Sequence, residues 1–304
     1  AELDEDDDVW NSDNWIKANP LTCKTQKGVD HMKGKAEQAR QMGGMELRNF
    51  MTKHLNTWVR WSDSQYMDME KWVNCASDKT LEDFRDSVCY AGLDLSSGGD
   101  LTSLALVFPY IQGDDRKYFI HTHSFIPKNR VDEHIKTDAA PYDIWIKEGL
   151  LTATETMGGI KTDYKYIIQY LTDVIEKYDL ELKMICYDPH NASAFLNDIE
   201  DLGIDSLSVT QSARSLNDAT SDLRLEVEAG NVEYNKDEKL LTWSMANAET
   251  DSNSFGEIKI NKENQTPSKR IDPVDATIDA WKMAMAGDGE IDLNSYILSE
   301  GFSF

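Results

Sequence analysis

The spacing of apolar residues changes near Ser87. Before it, Leu47, Phe50, Met51, His54, Leu55, Trp58 and Val59 recur at helical intervals, which predicts a helix over about 45–61 and a shorter one over 68–72. After it, the runs 88–95, 101–108 and 117–124 read as three strands. The first two are joined by Ser96-Ser97-Gly98-Gly99-Asp100, whose glycines suit a hairpin turn, so the three form an antiparallel meander. Residues 126–159 read as a loop-rich insertion. Tyr164, Ile167, Ile168, Leu171, Val174 and Ile175 then mark an amphipathic helix that feeds a strand over 183–187. Helix followed by strand implies a crossover, which adds a parallel strand to the sheet. A helix over 192–202, a strand over 206–209 and a helix over 216–229 continue the alternation. The expected fold class is α/β, with a mixed sheet of a three-stranded antiparallel meander plus parallel crossover strands, flanked by helices.

A final helix has a readable start. Asp272 fits the N-cap, Pro273 the first helical position, and Asp275 the first turn, where the helix dipole favours an acid. Val274, Ile278, Trp281 and Met285 form an apolar stripe, while Asp272, Asp275 and Asp279 fall together on another face.

Residues 1–85 differ in texture from 86–304, with an acidic start and a Gly-rich polar middle. They read as a partly helical connector without a core of its own, and a first residue other than Met suggests a piece of a longer polypeptide. The full 304 residues, 40% hydrophobic, have ample material for a core in the remainder. No run approaches the roughly 18 apolar residues of a membrane helix, so a soluble intracellular protein without a membrane partner is expected. Cys23, Cys75, Cys89 and Cys186 have no CxxC spacing and read as reduced structural thiols. A net charge of −24 argues against strong autonomous binding to nucleic acid, which draws its affinity from Lys and Arg. Local basic groups exist at Lys24, Lys27, Lys33 and Lys35, and at Lys262, Lys269 and Arg270. Lys269 and Arg270, just before Asp272, are the candidate DNA contacts.

Asp94 interrupts the otherwise apolar run from Tyr90 to Leu95, and a carboxylate in a central strand is costly unless a cation or donors meet it. Asp188 ends the run Met184-Ile185-Cys186-Tyr187, and Asp272 opens the last helix. Together these acids suggest an oxygen cage for hard divalent ions. Two such ions about 3.5–4 Å apart support in-line displacement at a phosphodiester without a side-chain nucleophile. Each acid also has a plainer reading. Asp272 can be a helix cap worth about 1 kcal/mol, Asp188 can begin a turn before Pro189, and Asp94 can bond to amides of the following turn. His121 and His123 share a strand face but lack companions for a zinc site. No P-loop sequence occurs, and the tryptophans, Trp10, Trp15, Trp58, Trp61, Trp72 and Trp145 among them, read as packing rather than base-stacking residues.

In order along the chain, Asn49-Phe50 through Trp58-Val59, Gly92-Leu93-Asp94-Leu95-Ser96-Ser97 with Asp100-Leu101-Thr102, Tyr187-Asp188-Pro189, Leu241-Thr242-Trp243 with Asn247-Ala248, and Arg270-Ile271-Asp272-Pro273 with Ala276 resemble the C-terminal half of tailed-phage terminase large subunits. The resemblance spans nearly the whole chain. It implies an RNase H-like nuclease domain over 86–304 that cuts concatemeric double-stranded viral DNA with two Mg²⁺ or Mn²⁺ ions, in the host cell cytoplasm. Carried over by position, Asp94, Asp188 and Asp272 would be the catalytic metal ligands, with Asp275 as a neighbour or replacement for Asp272. Residues 1–85 would be the tail of a preceding ATPase motor, and the terminase small subunit and portal protein would be partners. The acidity of the chain leads us to expect weak, salt-sensitive, largely sequence-independent DNA binding. The competing expectations are another RNase H-like phosphoryl-transfer enzyme of transposase or resolvase type, and a non-catalytic binding module.

Overall fold

The computed structural model describes residues 3–4, 7–42, 50–56, 65–96, 101–155, 164–190, 192, 199, 202–262 and 269–286. The chain divides into two compact units, Ala1–Gln65 and Tyr66–Phe304. In the first, α1 (Trp15–Ala18) and α2 (Gln26–Met42) are followed by a single wide helical turn at Phe50–His54. That turn is the described part of the helix expected over 45–61; the rest lies outside the described residues. Trp15, Met32, Ala36, Ala39, Phe50 and Leu55 form a small core, which the sparse apolar content had not led us to expect. Aromatic stacking concentrates it: Trp10 and Trp15 pack on Phe50 with ring centroids 5.9 and 5.6 Å away.

The boundary falls earlier than the change in sequence texture because Tyr66, Met67 and Trp72 are buried in the core of the second unit. Trp72 lies on α3 (Met69–Asn74), whose N-cap Asp68 accepts from the Glu70 and Lys71 amides, and stacks on Tyr234 at 4.5 Å. After the two-residue strand β1 (Ala76–Ser77) come β2 (Val88–Asp94), β3 (Thr102–Gln112) and β4 (Asp115–Pro127), the expected meander. β3 and β4 stay in register from Thr102↔Phe125 to Gln112↔Asp115. The β2–β3 turn at 97–100 lies outside the described residues.

The region expected to be loop-rich has structure of its own: α4 (Val131–Thr137), α5 (Tyr142–Glu148) and β5 (Leu151–Thr154), the last parallel to β4. Its apolar residues Tyr142, Trp145 and Leu151 form a satellite core with Leu101, Ile126 and Leu240. Each element is too short for a helical or strand period to show in the sequence. Next, α6 (Lys165–Tyr178) delivers β6 (Glu181–Tyr187) parallel to β2, and β7 (Ser206–Ser208) pairs parallel to β6. The helix expected over 192–202 lies almost wholly outside the described residues. Thereafter come α7 (Ala213–Ala229), β8 (Val232–Asn235), α8 (Lys239–Asn247), a hairpin of β9 (Ala248–Ser252) and β10 (Ile258–Lys262), and α9 (Asp272–Ala284). The main sheet runs β1-β8-β4-β3-β2-β6-β7, with β5 sharing the β4 edge.

Period-two alternation sends the side chains of this sheet into two cores. Tyr90, Val107, Ile120, Met184 and Cys186 pack on one face with α7 and α9, while Ala91, Leu93, Leu106, Phe119 and Ile185 pack on the other with Ile167 and Leu171 of α6. β8 pairs with β4 up to Ile120 and β5 from Ser124 onward. Glu238 fills the gap between them, accepting from the Thr122 amide (3.3 Å) and hydroxyl (2.9 Å) and lying 2.8 Å from His121 Nδ1. His123 bonds Thr152 Oγ1 at 2.7 Å and stacks on Tyr170, so both histidines have structural work and no zinc role is needed. All four cysteines are free thiols.

Candidate metal centre

The parity that buries Tyr90 and Gly92 toward α9 also aims Asp94 there, and the parity of Met184 and Cys186 extends to Asp188. Leu93 and Tyr187 are partners in the β2–β6 ladder, and the Asp188 amide donates to Leu93 O at 3.3 Å, so the two acids occupy matching ends of adjacent parallel strands. Asp188 Oδ1 also accepts from the His190 amide at 2.8 Å, the turn bond expected of an Asp before Pro189.

Close contact of helix and strand backbones brings α9 to the same place. A Cβ at Gly92 would lie 1.9 Å from Ala276 O and 2.6 Å from Ala280 N, so only glycine lets α9 lie this near β2. We expect Gly92→Ala to lower stability by about 3 kcal/mol and to displace the acids of α9 from Asp94. Thermal denaturation checks this, and an unchanged Tm would show that the helix yields at no penalty.

Asp272, Asp275 and Asp279 lie on one side of α9. Ile271, rather than Asp272, is the N-cap, and no side-chain cap bond is made. Asp272 is 3% exposed, and its Oδ2 has no hydrogen-bond partner. Asp272 therefore sits inside the first turn and not at the cap position. Asp279 is 1% exposed, and Gln211 Nε2 donates to both of its oxygens at 3.0 and 3.3 Å.

The acids feel one another. Burial, and then repulsion from Asp272, Asp275, Asp279 and Asp188, pushes Asp94 well above the usual carboxylate range. Burial followed by Asp272 and Asp188 pushes Asp275 up to about 8, against the pull of Lys262 and Lys259. Asp279 is likewise driven well up by burial, with Asp275 and Asp188 adding to it against the Gln211 bond. Asp272 is raised by burial, opposed by Lys262, its own amide, Arg270 and His134. Among the described residues, no group of three His, Cys, Asp or Glu side chains is already drawn up as a ligand cage. The acids are electrostatic neighbours, and closing them around one point requires positive charge.

Of the candidate DNA contacts, Lys269 is half-buried and Arg270 is turned inward. Arg270 is 6% exposed, with Nε 2.9 Å from Asp138 Oδ2 and a terminal nitrogen 3.0 Å from His134 Nδ1. Its guanidinium is engaged inside the protein with Asp138 and His134. Pattern reading gave no role to Gly92, Gln211 or Asp138. A glycine inside a strand, two residues before a lone acid, was the available signal for the first. The other two become visible only once the chain is folded.

A mixed sheet with acids at the ends of its first meander strand and its parallel neighbour, crossed by a helix bearing further acids, is an RNase H-like arrangement. The chain belongs to the terminase large subunit family, matching the family described as terminase large subunit, endonuclease domain, over residues 1–288. It is similar to the terminase large subunit of Enterobacteria phage HK97, 27% identical over 293 residues, which are 95% of this chain and 54% of that protein. It is also similar to protein YmfN of Escherichia coli (strain K12), 25% identical over 273 residues, 88% of this chain and 58% of that protein. The crystal structure of the HK97 bacteriophage large terminase superposes with a TM-score of 0.62 at 25% identity, covering 93% of this chain and 56% of that one. The chain thus spans little more than half the length of these relatives.

Proposed function

We propose that this chain is the metal-dependent endonuclease of a viral genome-packaging terminase, hydrolysing phosphodiester bonds of concatemeric double-stranded DNA. One observation carries the reading: Asp94, Asp188, Asp272, Asp275 and Asp279 are electrostatic neighbours on the α9 side of the sheet, each opposing the charge of others, and a buried oxygen of Asp272 has no hydrogen-bond partner. An all-carboxylate donor set fits Mg²⁺ or Mn²⁺ rather than a softer metal. Asp94, Asp188 and Asp272 would hold the ions, with Asp275 beside them. Asp279, already bonded by Gln211, contributes charge more than ligation. Bound there, two such ions would supply an activated water and would neutralise charge on the leaving oxygen. The chain's own part is rigidity: short Asp side chains on two strand ends and a buried helix fix where the scissile phosphate and the attacking water meet.

Family membership favours a packaging nuclease over a transposase or resolvase. In the complete terminase, an ATPase motor in the same polypeptide, the small subunit and the portal protein would bring DNA to a chain whose net charge of −24 opposes autonomous binding. The test is a supercoiled-plasmid assay at low salt with Mn²⁺, Mg²⁺ or EDTA. Nicked and linear products with the ions and none in EDTA are expected. Absence of cutting under every condition would overturn the reading and favour a non-catalytic binding module.

A further inference from the structure

The acid that opens α9 needs its backbone held in place, and the usual device is missing, since Ile271 at the N-cap offers no side-chain oxygen. Arg270, two residues before Asp272, is held at both ends instead. Its carbonyl accepts from Asn247 Nδ2 at 3.3 Å, and its Nε donates to Asp138 Oδ2 at 2.9 Å. Asp138, whose side chain is 0% exposed, is itself fixed from several directions. Its Oδ2 also accepts from the Tyr142 hydroxyl at 2.7 Å and lies 3.0 Å from His134 Nδ1, while its Oδ1 accepts from Thr137 Oγ1 at 2.7 Å. Tyr142 is 0% exposed and anchored among Trp145, Leu151 and Leu240. A buried ion pair is a poor source of net stability compared with apolar groups of the same volume. This one connects the 126–159 segment to the residue that sets the position of Asp272.

Building on the nuclease reading, we propose that Asp138 and Tyr142 are positioning residues for the metal site: through Arg270 they hold the backbone that carries Asp272, and so guide its carboxylate toward Asp94 when a divalent ion binds. Neither touches substrate. Groups that orient ligands in this way typically change metal affinity by about 10–100-fold when altered.

The measurement is calorimetric titration of the full 304-residue chain with MnCl₂, alongside its melting temperature in EDTA. Asp138→Asn is expected to raise the Mn²⁺ dissociation constant about tenfold. Tyr142→Phe, which keeps the ring in its pocket and removes one hydrogen bond to the same oxygen, is expected to raise it about threefold. A purely structural role would lower the melting temperature and leave the dissociation constant of the folded protein where it was. Should Asp138→Asn fail to fold, Tyr142→Phe decides alone. Wild-type Mn²⁺ affinity in the folded variants overturns the positioning role while sparing the nuclease reading. A wild-type chain that binds no Mn²⁺ overturns the metal centre and, with it, the positioning role.

Discussion

Asp94→Asn is expected to abolish metal-dependent nicking while leaving the protein folded, with a melting temperature in EDTA equal to or above that of the wild type. The two halves have one cause. Asp94 is half-buried beside four other acids, and desolvation and their repulsion both oppose its charge. The isosteric amide removes that charge without changing shape, so the metal-free fold loses a repulsion and no packing. Cutting behaves oppositely, because an amide oxygen is a far weaker partner for a divalent ion than a carboxylate. Losing several kcal/mol of transition-state stabilisation, about 4, lowers the rate about a thousandfold. Asp188→Asn is the companion variant: it keeps an oxygen for the His190 amide, so the local turn survives while ligation is weakened. Plasmid nicking and thermal denaturation, run on the same preparations, check both claims. Cutting within tenfold of wild type in Asp94→Asn would remove Asp94 from the metal centre. A steep fall in melting temperature in EDTA would instead make the carboxylate a structural acceptor.

That Asp94 could be picked out from sequence at all follows from burial. A charged residue inside an apolar strand demands an explanation wherever it occurs, and the β2 pattern displays one openly. The same logic singled out Asp188 and Asp272, because each adjoins a recognisable element. The meander, the α6–β6 crossover and α9 were legible because each is long enough for its period to repeat several times. α4, α5, β5 and β8 are four to seven residues long, too short for either period to show. Their existence is a tertiary fact: Tyr142 and Trp145 find burial against Leu240, nearly a hundred positions away. Arg270 illustrates the converse situation. In sequence it is a cation beside an acid, suited to phosphate. In the fold its partner is Asp138, which no local pattern could have supplied. Asp272 was ambiguous for a related reason, since helix cap and metal ligand are both read from an Asp before a Pro. Only the position of the N-cap at Ile271 and the unpartnered Oδ2 separate the two.

If the acids of this face are uncompensated, metal-free protein is expected to lose stability as pH rises, and divalent ions to restore it. Burial and its acidic neighbours raise Asp275 from 3.8 to about 8. Between those values the native state holds a proton that the unfolded chain has released, so unfolding free energy falls with increasing pH and the loss is complete above about pH 8. The sign is opposite to that of a salt-bridged carboxylate. Each unit of displacement is worth about 1.4 kcal/mol. Even a discounted effect of about 2 kcal/mol corresponds to about 3–4 °C in melting temperature between pH 5 and pH 8.5 in EDTA. Net charge pushes in the same direction, so the informative quantity is the difference from Asp275→Asn, whose melting temperature should depend less on pH. An ion binds only the deprotonated acids, so Mn²⁺ should raise the melting temperature at pH 7.5 and do so much less at pH 5. At a hundredfold excess over its dissociation constant it would contribute about 2.7 kcal/mol. A melting temperature in EDTA that climbs with pH across this range, or one at pH 7.5 that Mn²⁺ added without EDTA leaves unchanged, would mean that the acids already have the partners they need, and the case for a metal centre would fail with it.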